Sequence, residues 1–99
     1  MELFELREKK QKYLTLLRKV KNTVSNLKKS KNSISDAKSL ANYYSIDNEP
    51  VEEVQDIKNI NNEIENIIDD LEGKVIPWIE SKVSKTNSQI SDALEAEKE

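Results

Sequence analysis

Apolar residues in the first part of this chain recur in steps of three, four and seven, and that spacing restricts it to helix. Leu6, Tyr13, Leu17, Val20, Val24, Leu27, Ile34 and Ala41 follow the pattern. An α-helix turns once in about 3.6 residues, so these side chains share one stripe. Leu3, Leu14, Leu16, Ala37 and Leu40 widen the stripe, while Lys10 and Lys31 interrupt it. A lysine there weakens the seam or marks a place where a partner differs. One Gly and two Pro in 99 residues are too few turn formers for an all-β fold.

The pattern stops at "NYYSIDNEP", residues 42–50. Asn42, Asp47, Asn48 and Pro50 are turn and cap residues, and Pro50 suits the first turn of a new helix with Asn48 or Glu49 before it as cap. Glu52 and Glu53 then fall where negative charge suits the helix dipole. The period resumes with Val54, Ile57, Ile60, Ile64, Ile67, Ile68, Leu71 and Val75, then Ile79, Val83, Ile90, Ala93 and Leu94. From Leu71 to Val83 the steps are four, four and four, which drift around an α-helix instead of holding one face.

The drift coincides with "LEGKVIPWIE", residues 71–80, which holds the only Gly, the only Trp and one of the two Pro. Proline inside a helix loses a hydrogen bond, and its ring presses on the carbonyl four residues back. Four back from Pro77 is Gly73, whose missing side chain lets the backbone tilt away. With no polar turn cluster beside the pair, the spacing predicts a kink within one long helix. A short break would instead give three helices. Trp78 beside Ile79 reads as a packing or partner-contact residue, and a large aromatic on so polar a chain suits an interface anchor.

The expected fold is all-α, a single domain over 1–99. Helix one spans about 2–43, a turn about 44–49, and helix two about 50–95 with a frayed tail. Each helix should run about 60 Å, and a short connection makes them an antiparallel hairpin. A hairpin has one seam, and these stripes are wider than one seam covers. The chain is therefore expected to join another helical protein, or itself, in a four-helix bundle. The residues expected to meet that partner are Leu14, Leu17, Val20, Ile64, Ile68, Trp78 and Ile79.

Chemistry is scarce. No Cys and no His removes thiol and imidazole catalysis and nearly all zinc sites. The carboxylates at Glu52, Glu53, Glu63, Glu65, Asp69 and Asp70 lack the His that di-metal bundles use, and no calcium-loop spacing appears. They read as a solvated face, and no enzyme activity, cofactor, metal or small-molecule substrate is expected. Residues 1–45 carry eleven basic against four acidic side chains, a net of +7, and residues 46–99 carry five against fifteen, a net of −10. Such halves attract each other when folded back. The basic runs "REKKQK" and "KKSKNS" lack interleaved aromatics, and the whole chain carries −3, so a nucleic-acid-linked regulator is a lesser reading. There is no apolar run long enough for a membrane span. The start lacks the apolar core of a secretory signal, which points to a cytoplasmic chain or one co-exported without a cleaved signal.

In length, hairpin layout and its Lys-, Asn-, Ile- and Ser-rich composition, the chain resembles the WXG-type (Esx-like) proteins of type VII secretion. It looks closer still to the small helical proteins associated with LXG toxins. The family's Trp-x-Gly turn is replaced here by Tyr43, Tyr44 and Ser45, and the only Trp is Trp78, inside helix two. The family's export signal pairs an aromatic with an acid four residues on. Tyr43 and Asp47 have that spacing but sit in the central turn, and the tail "SQISDALEAEKE" has no aromatic. The resemblance implies a non-catalytic binding partner, targeting factor or chaperone for a secreted LXG-type toxin. The runner-up from the residues themselves is a self-assembling coiled-coil scaffold.

Overall fold

The computed structural model describes residues 2–44 and 51–98, with side chains placed except at 38, 40–44 and 51–54. Helix α1 is Leu3–Tyr44 and helix α2 is Val51–Asp70. A π-helical turn, Leu71–Val75, joins α2 to helix α3, Ile76–Lys98. No strand occurs among the described residues. The expected central turn lies outside them, as does Asp47. Tyr43 falls in the last turn of α1, and its side chain is not described. The tail, expected to fray after about residue 95, is helical to Lys98.

The helices form an antiparallel hairpin, a rod of 80 × 15 × 13 Å. Its contacts run in opposite sequence order on the two sides. Ser35 meets Asn61, Lys31 meets Glu65, Lys28 meets Glu72, and Tyr13 meets Trp78. The two ion pairs, at 3.5 and 2.7 Å, each join a lysine of the basic half to a glutamate of the acidic half. Each pair is part-exposed and contributes about 0–1 kcal/mol at most, so they set register more than stability. Lys31 is thus accommodated: its seam position is half-buried and its ammonium reaches sideways to Glu65.

The core is thin. Leu6, Val24, Ile68, Ile79 and Thr86 are the buried side chains among the described residues. Each seam residue has a single facing helix to cover it, so Leu17, Val20, Leu27, Ile57 and Ile64 are only half-buried. Thr86 is 1% exposed yet keeps its hydroxyl satisfied by donating to the Lys82 carbonyl at 2.8 Å. With that bond made, it packs as a β-branched apolar residue does.

The irregular stretch is a widened turn within one continuous helix, not a break. The Ile76 N–H donates to the Leu71 carbonyl, five residues back. A π turn carries one residue more than an α turn, and this absorbs the drift. Twelve residues separate Leu71 from Val83. With one taken up by the wide turn, the remainder complete about three turns, so Val75, Ile79 and Val83 return to the seam. Space for a side chain at Gly73 is not what the kink requires. A Cβ at Gly73 would meet nothing within 4 Å. The relief for Pro77 comes from the widened backbone ahead of it, not from a missing side chain below its ring.

Asn61 places an amide inside the seam. Asn61 donates from Nδ2 to Ser35 Oγ at 2.8 Å, while its Oδ1 is buried without a protein partner. A buried unsatisfied acceptor costs about 1–3 kcal/mol, and a polar residue at a seam position fixes register. The expected result for Asn61→Leu is therefore a higher melting temperature, a gain of about 1 kcal/mol, with looser pairing of the helices. Circular dichroism melts read the first effect and disulfide trapping of shifted cysteine pairs reads the second. A melting temperature that falls would overturn this account of Asn61.

Candidate protein–protein interface

The seam divides the hairpin surface into two edges, and the sequence gives them different characters. Glu65 and Glu72 each follow a seam residue (Ile64, Leu71) by one position. Ile60 and Ile67 each precede one (Asn61, Ile68) by one. A step of one residue turns an α-helix by about 100°, so the two sets flank opposite sides of the stripe. The Glu65–Glu72 edge is closed: Lys28, Lys31 and Ser35 of α1 reach across it to Glu72, Glu65 and Asn61.

The other edge is open and apolar. Ile60 is 48% exposed and Ile67 49% exposed. Ser30 and Ala37 stand on the α1 side of this edge, too small to cover the isoleucines. Farther along the same edge are Leu16, 42% exposed, and Trp78, 51% exposed. The indole of Trp78 is not loose. Its ring meets Tyr13 edge-on, with centroids 6.3 Å apart and planes at 82°. The Lys82 ammonium lies 5.5 Å from its centroid. Those contacts fix the ring while half its surface stays in water, a low-entropy arrangement for an anchor.

The residues expected at a partner interface divide accordingly. Ile68 and Ile79 are buried within the hairpin, with Leu17, Val20 and Ile64 half-buried beside them at seam positions. These five close the chain on itself, because a two-helix fold consumes its seam residues first. Leu14 lies half-buried on the closed edge, and Trp78 lies on the open one. The expected set is therefore not one surface. The exposed face belongs to Ile60, Ile67, Leu16 and Trp78. The first two were visible in the sequence as members of the apolar period, but their side of the helix was not. Phe4, 75% exposed, stands apart in the first turn of α1.

Among the described residues no group of His, Cys, Asp or Glu is placed to hold a metal ion. None of the described helices is long and apolar enough to cross a membrane. No protein-family model, curated protein or solved structure gives a significant match to this chain.

Proposed function

We propose that this chain is a non-catalytic binding module that acts by packing its hairpin against another helical protein to form a bundle. The supporting observation is the open edge: exposed Ile60, Ile67, Leu16 and Trp78 on a rod whose own core is thin. A helix laid along that edge would cover the isoleucines and deepen the burial of Ile64 and Leu27 behind them. Within this reading, the resemblance to type VII secretion proteins suggests the helical N-terminal region of an LXG-type toxin as the partner. The hairpin would then serve as its targeting factor or chaperone, in the cytoplasm or during co-export. That finer assignment rests on length, layout and composition. A second reading, a self-assembling coiled coil, draws support from the way charge is distributed along the open edge.

Affinity capture from the native host, with partners identified by mass spectrometry and then purified to re-form the complex, tests the first reading. The expected result is a larger protein with a long helical amino-terminal region, and at least a tenfold weaker complex with Trp78→Ala, about 1.4 kcal/mol. Recovery of the bait alone would sink the hetero-partner reading.

A further inference from the structure

Exposed apolar side chains stand in both halves of the open edge, and the charge around them changes sign midway. In the half nearer the connection between the helices, Ile60 and Ile67 are flanked by Asp56, Glu63 and Asp70 at every second turn of α2. In the other half, Leu16 and Trp78 are flanked by Lys12 and Lys19 of α1 and Lys85 of α3, with the acids Glu5 and Asp92 following only at its far end. The six charged side chains flanking the isoleucines, Leu16 and Trp78 are all exposed. Lys12 and Asp70 already have partners on their own helices, Glu8 and Lys74. The remaining four take no part in the ion pairs among the described residues. Midway between the halves lies the widened turn, Leu71–Val75.

An edge with an acidic apolar half and a basic apolar half is complementary to itself when turned end for end. We propose that a second copy of this chain occupies the open edge. The two hairpins pair about a two-fold axis passing near Leu71–Val75. The acidic Ile60–Ile67 half of each copy then lies on the basic Leu16–Trp78 half of the other. A two-fold contact presents the same patch on both copies, which a charge pattern antisymmetric about its midpoint satisfies twice. Opposed charges at the rim fix direction and exclude the parallel arrangement, which would set like charges side by side. The product is an antiparallel four-helix bundle whose centre is filled by the isoleucines, Leu16 and the indole. The inference rests on the reading that the hairpin works by bundle formation, and it specifies which edge and which occupant.

Two charge-reversed chains test it. One carries Asp56→Lys and Glu63→Lys, so both halves of its edge are basic. The other carries Lys19→Glu and Lys85→Glu, so both halves are acidic. All four positions are exposed, and circular dichroism checks that each chain stays helical. Light scattering after gel filtration is expected to give the unaltered chain at twice its monomer mass. Each variant alone should run as a monomer, and an equal mixture should recover the two-chain mass. The dissociation constant of the unaltered dimer should rise roughly tenfold as salt goes from about 0.05 to about 0.5 M. An unaltered chain that stays monomeric to millimolar concentration would overturn the proposal, yet leave bundle formation with a different helical protein standing if capture finds one. Variants that dimerise alone, or a mixture that stays monomeric, would equally overturn this edge and this direction. In the single variant Ile67→Lys, loss of dimer with retained helicity is expected, and an unchanged dimer would count against it.

Discussion

Deleting Pro77 should stabilise this protein, whereas deleting Asn26 should unfold it. A one-residue deletion inside a helix rotates everything on one side of it by about 100°. At Asn26 nothing can absorb that rotation, so Leu6 and Val24 would leave the seam together, and they are two of the buried side chains that hold the hairpin. The expected chain has no cooperative thermal transition. At Pro77 the deletion removes the residue that cannot donate a hydrogen bond, and also the one residue by which this stretch exceeds a regular repeat. The seam then reads Ile57, Asn61, Ile64, Ile68, Leu71, Val75, Ile79, Val83, Thr86 and Ile90 in alternating steps of four and three. The π turn at Leu71–Val75 can close to an ordinary α turn. A gain of about 1–3 kcal/mol is expected, worth roughly 5–15 °C in melting temperature for a chain of this size. Circular dichroism melts of the two deletions beside the unaltered chain decide it. If the Pro77 deletion melts lower than the parent, the widened turn is not what restores the seam.

Neighbouring residues Trp78 and Ile79 should separate stability from association. Ile79 is 0% exposed, and cutting it to alanine removes buried carbons in a core with little around it to collapse inward. Ile79→Ala is expected to cost about 3 kcal/mol, or roughly 15 °C. Trp78→Ala loses the edge contact with Tyr13 and the Lys82 ammonium over its ring. Those contacts are half in water, and their loss should cost only about 1 kcal/mol of stability. Chemical denaturation followed by circular dichroism reads both. Equal losses, or a larger loss at the tryptophan, would mean that Trp78 is a core residue and that the open edge is misassigned.

These expectations show how much the chain reveals before it is folded. The stripes of α1 and α2, the boundary near residues 42–50 and the irregularity at residues 71–80 are local matters. Helical spacing, turn-forming side chains and a proline each act within a few residues, so each leaves a mark in the sequence. The pairing of a basic half with an acidic half was legible for a similar reason, since net charge needs no geometry. Thr86 was missed because its hydroxyl marks it as polar, and only its position seven after Ile79 and four before Ile90 places it in the seam.

What the sequence determined by itself is an all-α hairpin with a flaw in its second helix, without cysteine or histidine chemistry. The structure decided the nature of that flaw, a turn one residue too wide, because a drift in spacing favours a kink without saying how the backbone makes it. It also decided which apolar residues remain exposed. Periodicity ranks residues around a single helix, but it does not say which edge a second helix will close. The cross-helix contacts of Lys28, Lys31 and Ser35 close one edge. Ile60 and Ile67 are left on the other because the residues facing them, Ser30 and Ala37, are too small to reach.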